Sequence, residues 1–206
     1  MVNDDKKEDA VGRPSLKQQR ITEILDAYGR CITRYGLEGA TMDRVAEEAQ
    51  MARPLIRHNV GNRDQLFAAF VARYFDQAKA ELAQLETALS NLRSGPEVIA
   101  FLFDDQYDDA DSVLIFEELI AAGKTDPDLA RHLRTWLDGF VTGIEGALRA
   151  CYPTAPQASV HTVAHGVMGI LFNVGSFAML GDMEDFRTTA RSAALTLIET
   201  LNQQVA

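Results

Sequence analysis

Arginine side chains repeat at helical spacing near position 55, in a pattern typical of a surface that contacts nucleic acid. Arg53 and Arg57 are four residues apart, which places both on one face of a helix, and His58 and Asn59 follow at once. Arginine can donate two hydrogen bonds to O6 and N7 of guanine, and asparagine can pair with adenine in the same way. An isolated arginine is usually a solvated surface charge, so the prediction of DNA contact depends on the whole set.

Two further groups of side chains have the spacing of metal ligands. One is a run of carboxylates at Asp104, Asp105, Asp108, Asp109 and Asp111. Pairs four residues apart share a helix face, so a metal-dependent helical hydrolase stays open as an alternative function. No basic or nucleophilic residue accompanies the run, and Asp109–Asp111 also fits a helix N-terminus. The other group, His161 and His165, has no assignable third ligand. We therefore expect no catalytic residue, no cofactor and no metal.

Positive charge is concentrated near the N-terminus, although the 206-residue chain has a formal net charge of −10. Residues 11–75 contain ten Lys or Arg against seven Asp or Glu, whereas residues 76–206 contain eight against nineteen. Nucleic-acid binding requires a local positive face and not a basic protein overall. The first region can therefore meet DNA, while the acidic remainder would repel the phosphates and fix which end approaches them.

The composition is that of an ordinary globular protein, with 47% hydrophobic and 24% charged residues. Two cysteines, Cys31 and Cys151, are too few for a disulfide framework and suit a reducing compartment. The first fifteen residues lack the apolar core of a secretory signal. The uncharged stretch 166–181 is shorter than the roughly 20 apolar residues of a membrane span, so it predicts a buried helix. We expect a cytoplasmic protein without a membrane partner.

Apolar residues recur every three or four positions along the whole chain, which predicts an all-α fold without a sheet. Capping residues such as Ser15, Thr41 and Asn62 mark helix starts, and glycines mark helix ends. Nine helices are predicted, at about residues 16–35, 41–49, 53–61, 62–94, 96–109, 111–122, 126–150, 157–180 and 184–204. The second and third are short and joined by a tight turn, which is helix-turn-helix geometry.

Five consecutive features between residues 19 and 70 agree in type and spacing with one known domain. They are Tyr35-Gly36, Gly39-Ala40-Thr41-Met42, Val45-Ala46-Glu47-Glu48-Ala49, Met51-Ala52-Arg53 and Gly61-Asn62-Arg63-Asp64-Gln65-Leu66. On these residues the segment resembles the DNA-binding domain of the TetR family of bacterial transcriptional regulators. The chain departs from the family at Arg57, where an aromatic residue is usual, and at His58, Asn59 and Val60. The operator sequence of a relative therefore does not transfer.

The resemblance implies a ligand-responsive repressor that binds a palindromic double-stranded DNA operator as a homodimer. It divides the chain into a flexible arm at 1–14, a helix-turn-helix domain at 15–61, and a helical ligand-binding and dimerisation domain at 62–206. A dimer also follows from geometry, because one helix-turn-helix reads a half-site and two units about 34 Å apart fit a palindrome. The predicted DNA contacts are Arg13 (as a minor-groove hook), Thr41, Arg44, Arg53, Pro54, Arg57, His58, Asn59 and Arg63.

The C-terminal region is expected to hold the effector pocket and the dimer interface. The pocket should lie between the middle helices, with candidate residues Phe101, Phe103, Tyr107, Phe116, His132, Trp136, Phe140, His165 and Phe172. The interface is expected on the last two helices, along Val163, Val167, Ile170, Val174 and Phe177. The same stripe could also bury against the subunit's own helices, since a helix that is apolar nearly all round favours both contacts. A small-molecule effector would act through the long fourth helix, which joins the two domains. A partner protein as the effector is the other alternative.

Overall fold

Nine α-helices make up the computed structural model, which describes residues 15–104, 110–181 and 183–202. They are α1 (Leu16–Gly39), α2 (Met42–Glu48), α3 (Arg53–Val60), α4 (Arg63–Ser90), α5 (Gly95–Leu102), α6 (Ala110–Gly123), α7 (Pro127–Cys151), α8 (Gln157–Ala178) and α9 (Glu184–Glu199). No β-strand occurs in the described ranges, and the predicted all-α fold is confirmed. The predictions for the arm at 1–14 with Arg13, for Tyr107, and for Asp105, Asp108 and Asp109 lie outside the described residues.

The helices begin at the capping residues that the sequence supplies. At the start of α1, the Ser15 side chain accepts a hydrogen bond from the Gln18 backbone N–H at 3.2 Å. At the start of α4, the Asn62 side chain accepts from the Gln65 N–H and the Gln65 side chain accepts from the Asn62 N–H, both at 2.9 Å. This capping box pairs two backbone donors that have no partner inside the helix, and so it fixes where α4 begins.

Two helix ends differ from the sequence prediction. α1 continues past Tyr35 to Gly39, with a kink at Gly36, whose φ is +70°. Glycine adopts this left-handed backbone at little cost, so the chain can bend and then complete one more turn. α5 ends at Leu102 and not near residue 109, because Phe103 leaves the helix and packs into the core.

Three hydrophobic clusters hold the helices together, and α4 contributes to all of them. The head, which we define as residues 15–70, has a core where Tyr28 and Phe70 meet edge to face at 5.3 Å. An aromatic cluster around Phe116 lies between α4, α6 and α7, and a distal cluster joins α4, α5, α7, α8 and α9. Since α4 has 28 residues, about 42 Å at 1.5 Å per residue, it reaches from the head to the distal cluster.

α8 is the one described helix that is long and apolar enough to cross a membrane, judged by length and composition alone. It packs instead between α7 and α9, where Val160, Val163 and Val167 are buried in the distal cluster. Only 28% of its most apolar stretch is buried within the chain. The prediction of a buried helix therefore holds for one face of α8 only. The residues of the opposite face are not covered within the single chain.

Candidate nucleic-acid interface

α2 and α3 are fixed to the head by one fully buried side chain each, which leaves their other faces exposed. Val45 of α2 and Ile56 of α3 both have no exposed surface. Between the helices Gln50 has a positive φ of 53°, and the Met51 N–H donates to the Ala46 carbonyl at 2.9 Å. This tight turn sets the angle between α2 and α3, so the two helices form a helix-turn-helix pair on the head surface.

The exposed face of α3 carries four of the predicted DNA contacts. Arg53, Pro54, Arg57 and His58 are all exposed. Pro54 lies in the first turn of the helix, where its missing N–H would have no partner in any case. Arg57 and His58 make no hydrogen bond or ion pair that is identified within the described ranges. Both side chains are therefore available for an external ligand.

Asn59 is placed differently from the sequence prediction. Its side chain is half-buried, and Nδ2 donates a hydrogen bond to the Leu55 carbonyl at 2.8 Å. A side chain engaged with the backbone of its own helix offers less of its amide to an adenine. Contact between Asn59 and DNA bases stays a prediction.

Arg53 is held by an acidic residue of the neighbouring helix. Its Nη1 lies 2.9 Å from Oδ1 and 3.2 Å from Oδ2 of Asp43 in α2. The side chains remain 62% and 70% exposed, respectively. The guanidinium is therefore oriented by a surface ion pair while most of it stays in contact with solvent.

Two predicted phosphate contacts, Arg44 and Arg63, meet the last turn of α1, at residues 35–39. Nη1 of Arg44 donates to the Gly39 carbonyl at 2.7 Å, and its guanidinium lies 4.2 Å from the centre of the Tyr35 ring. Nη2 of Arg63 donates at 3.2 Å to the Leu37 carbonyl and to the Glu38 carboxylate. Both side chains are exposed but ordered by these contacts.

Thr41 caps α2 as predicted. Its side-chain oxygen accepts from the Arg44 backbone N–H at 3.4 Å, a long hydrogen bond. The N-terminus of a helix carries a partial positive charge, and anions are stabilised beside it. Thr41 is exposed at this end of α2, so it can meet a phosphate.

The last turn of α1, at residues 35–39, is tied to α6 by Glu118. The carboxylate accepts a hydrogen bond from the Leu37 backbone N–H at 2.8 Å, across 81 residues of sequence. A Cβ at Gly36 would lie 3.3 Å from the Glu118 carboxylate, so glycine leaves room for this close approach. Ile115, one turn earlier in α6, packs against the head core. α6 is thus fixed to the head beside the helix-turn-helix pair.

Burial and ion pairing shift the pKa values of several groups in the head. Arg30 and Arg34 both contact Glu48, and the hydrogen bond from Arg30 lowers the pKa of the Glu48 carboxyl. Burial raises the pKa of Tyr28 to about 12 and also raises the pKa of the Cys31 thiol. The two contacts with Glu48 connect α1 to α2 within the head.

A cavity of about 1040 Å³ is lined by residues of α1 and of α4 to α9. Four predicted pocket residues form an aromatic wall with ring centres 4.8 to 6.2 Å apart, namely Phe116, Trp136, Phe140 and Phe172. Phe101 also lines the cavity, as predicted. An Arg73–Asp26 ion pair at 2.5 Å contributes a charged edge between α1 and α4. The volume is enough for a small organic molecule.

Three other predicted pocket residues lie elsewhere. Phe103 is buried in the distal cluster, His132 stacks on Phe75 at 5.3 Å on the outside of α7, and His165 is exposed on α8. Sequence reasoning missed the contribution of α4, whose residues Leu82 and Leu85 line the cavity. Their apolar stripe predicts core positions, because an apolar side chain suits a cavity wall and a packed core equally well.

The predicted interface residues divide between the inside and the outside of the subunit. Val163, Val167 and Val174 are at most 5% exposed and belong to the core of their own chain. Ile170 is half-buried, while Phe177 is 41% exposed. A helix period places the three valines on the face towards α7 and α9, so a second subunit could reach only the other face.

Within the described ranges, no three His, Cys, Asp or Glu side chains come together as metal ligands. His161 contacts the Glu145 carboxylate and packs against His165, with ring centres 4.5 Å apart. Of the predicted carboxylate run, only Asp104 and Asp111 lie in the described part of the chain. The carboxylate run of the hydrolase alternative therefore lies largely outside the described residues.

The head matches a known protein family in sequence. Residues 24–70 match the family described as bacterial regulatory proteins, tetR family. The chain is 38% identical over 76 residues to the HTH-type transcriptional repressor AcnR of Corynebacterium jeikeium, a match covering 37% of this chain. The chain spans 40% of the length of this curated relative.

The complete helical architecture is similar to several solved structures. A TetR transcription regulator of Haloarcula marismortui has a TM-score of 0.68 at 16% identity, covering 88% of this chain and 97% of that chain. A TetR-family regulator of Mesorhizobium loti has a TM-score of 0.66 at 16% identity, covering 91% and 97%. The transcriptional regulator FadR of Bacillus subtilis, in complex with stearoyl-CoA, has a TM-score of 0.61 at 15% identity, covering 87% and 96%. These likenesses show a shared fold, with an N-terminal helix-turn-helix and a C-terminal helical domain.

Proposed function

We propose that this chain, whose residues 24–70 match the tetR family of bacterial regulatory proteins, is a transcriptional repressor that binds a palindromic DNA operator as a homodimer. Proteins of this family are DNA-binding regulators and not enzymes. The proposed place of action is the cytoplasm, where the operator is accessible.

The observation that carries the proposal is the exposed face of α3 on a rigid helix-turn-helix pair. Arg53, Arg57 and His58 are exposed on that face, and Ile56 holds the opposite face in the head core. A helix of this kind can lie in the major groove, where arginine discriminates guanine from the other bases. Thr41 and Arg44 at the start of α2 would contact the adjacent phosphates.

A second copy of the chain would cover the exposed face of α8. The helix is apolar in its overall composition, yet 28% of its most apolar stretch is buried in one chain. Phe177, Met179 and Leu180 are exposed large apolar residues at its C-terminal end. The outward face of α9 carries the small exposed residues Thr189, Ser192 and Thr196, beside which another helix can approach closely. Dimerisation through these faces would bury surface that is unfavourable in water.

The proposed effector is a small molecule that enters the aromatic cavity. FadR shares the fold and was solved in complex with stearoyl-CoA, which supports a ligand site in this kind of architecture. Phe116 of α6 lines the cavity, while Ile115 and Glu118 of the same helix contact the head. A ligand that binds more tightly to one position of α6 would therefore favour one position of the head.

DNA selected from a random pool by the wild-type protein tests the proposal, with affinity measured by fluorescence anisotropy. Arg57→Ala should lower the affinity for the selected site about tenfold or more, because each lost arginine contact costs about 1–3 kcal/mol and a dimer loses two. Arg57 is exposed, so the variant should fold normally. Arg149→Ala, which removes an exposed arginine of α7, is the matched control and should bind like the wild type.

Three results would contradict this account. One is failure of the wild-type chain to select any DNA sequence. Another is an Arg57→Ala variant that binds the selected site as tightly as the wild type, which would remove α3 from the interface. The third is a monomer at micromolar concentration in analytical ultracentrifugation, since a single head reads only a half-site.

A further inference from the structure

Asp43 and Arg53 form the single ion pair that connects α2 to α3 in the described part of the chain. The carboxylate contacts Nη1 of the guanidinium through both oxygens, at 2.9 and 3.2 Å. Nε and Nη2, which form the other edge of the guanidinium, have no partner identified among the described residues. Arginine carries five N–H donors in a planar fork, so this edge retains the geometry for two parallel hydrogen bonds.

The pair contributes little to folding. Both side chains are more than 60% exposed, and exposed ion pairs of this kind are weak because water and salt screen them. Its larger effect is on orientation. An arginine side chain has four rotatable bonds, and a fixed carboxylate beside it reduces the number of positions that its guanidinium samples before DNA arrives.

We propose that Asp43 is a positioning residue, which holds Arg53 so that its Nε and Nη2 edge donates two hydrogen bonds to a guanine in each operator half-site. This inference rests on the proposed function, since it requires α3 in the major groove. Guanine presents O6 and N7 as neighbouring acceptors, which match the spacing of that edge. The bonds to guanine and the contact with Asp43 use different nitrogens, so both can be present in the complex.

The negative charge of Asp43 disfavours DNA binding, and this makes the proposed role of the residue testable. Asp43 is 70% exposed on the proposed DNA-facing side of the head, where a negative charge repels phosphates. Removal of the charge should therefore strengthen binding to DNA of any sequence. If Asp43 orients Arg53, the same change should weaken the discrimination in favour of guanine. The two effects have opposite directions.

Asp43 also lies in the first turn of α2, where an acidic residue stabilises the helix through its dipole. That structural role predicts a change in the melting temperature and none in base preference. Asp43→Glu keeps the negative charge at the helix start but moves the carboxylate by one methylene. It therefore separates the position of the carboxylate from its charge.

Glu38 provides the matched control, because it forms an exposed ion pair with another arginine of the head. The Glu38 carboxylate lies 3.2 Å from Nη2 of Arg63, and the two side chains are 92% and 44% exposed. Arg63 begins α4 and lies outside the helix-turn-helix pair. Glu38→Gln removes one negative charge near the proposed interface without touching Arg53.

The experiment measures full-length wild type and the variants Asp43→Asn, Asp43→Glu, Arg53→Ala and Glu38→Gln. Each is titrated with the selected operator, with operators substituted at one base pair at a time, and with unrelated DNA. The wild type should favour guanine at one position of each half-site by at least about fivefold, the lower end expected for a bidentate contact. Arg53→Ala should abolish that preference.

Asp43→Asn should reduce the guanine preference at least about threefold while raising affinity for unrelated DNA roughly twofold, the size of one screened repulsion. Asp43→Glu should give an intermediate guanine preference with unchanged affinity for unrelated DNA. Glu38→Gln should raise the affinity for all sequences alike and leave the preference intact. Circular dichroism melts establish that the compared variants are folded at the temperature of the titrations.

The inference is overturned if Asp43→Asn and Asp43→Glu both keep the wild-type guanine preference while Arg53→Ala loses it, because Arg53 then reads the base unaided. It is also overturned if Arg53→Ala itself keeps the preference. Failure of the wild type to prefer any sequence is a separate result, which refutes the proposed function and not only the role of Asp43.

Discussion

Replacement of Glu118 by alanine should loosen the contact between α6 and the head. The Glu118 carboxylate accepts the Leu37 N–H at 2.8 Å in a partly buried site. A hydrogen bond to a charged group contributes about 1.5–3 kcal/mol, and a buried donor without a partner costs about 1–3 kcal/mol. Because the site is only partly buried, water can replace some of the lost bond. We therefore expect a loss of about 1–2 kcal/mol.

Amide hydrogen exchange at Leu37 measures this loss directly. A change of 1–2 kcal/mol in the free energy of local opening corresponds to exchange about 5 to 30 times faster at that amide. Glu117→Ala is the control, because Glu117 is the adjacent glutamate and lines the cavity, with no hydrogen bond to the head among those identified. An unchanged exchange rate at Leu37 in Glu118→Ala would refute the reasoning.

A double-mutant cycle with Gly36 tests the same contact from its other side. Gly36→Ala places a Cβ 3.3 Å from the Glu118 carboxylate and also strains a backbone with φ of +70°. The strain costs about 1–2 kcal/mol in either background. The steric conflict disappears when Glu118 is alanine, so Gly36→Ala should destabilise the wild type more than the Glu118→Ala variant in urea unfolding. Equal losses would show that the two residues do not interact.

Three further outcomes follow from the described geometry. Gly61→Ala should destabilise the head by about 2–3 kcal/mol in urea unfolding, because φ at this residue is +83° and the new Cβ would lie 2.1 Å from Oε1 of Gln65 in the capping box. A loss of stability below about 0.5 kcal/mol would contradict this reasoning. Glu48 has a lowered pKa in the folded chain, so its stabilising effect is complete above the ordinary carboxyl pKa and is lost as the pH falls through the lowered value. The melting temperature should therefore fall more steeply between about pH 5 and 3 in the wild type than in Glu48→Gln, and parallel curves would refute the assignment. Trp136, the single tryptophan of the chain, lies in the cavity wall, so compounds that fill the cavity should change its fluorescence. The same compounds should leave the fluorescence of the Phe172→Ala variant unchanged. Binding to the wild type without any fluorescence change would place the ligand elsewhere.

The helix starts and the exposed face of α3 could be predicted from sequence, because both depend on local rules. A capping residue acts on backbone donors within three positions, as Asn62 does on Gln65, and helical periodicity assigns Ile56 and Arg57 to different faces of α3. These features need no knowledge of the tertiary structure.

Contacts between distant segments could not be predicted in this way. Glu118 and Leu37 are 81 residues apart, and neither residue type signals the other. The engagement of Arg44 with Tyr35 and of Arg63 with Leu37 depends on the kink in α1. Periodicity also predicts an apolar face without naming its neighbour. For this reason the stripe that contains Val163 fits a subunit interface and the chain's own core equally well, and the structure buries Val163 in the core.

The internal pairing of the head arginines has a thermodynamic consequence for operator binding. Arg53 and Arg63 each already carry a carboxylate counter-charge, so their surroundings hold fewer mobile anions than those of Arg57. A guanidinium that is already paired with a carboxylate neutralises less phosphate charge than a free one, so fewer cations condensed on the DNA return to the solvent and their entropy adds less to the affinity. The logarithm of the association constant should therefore depend on the logarithm of the salt concentration less steeply than the number of arginines on this surface suggests.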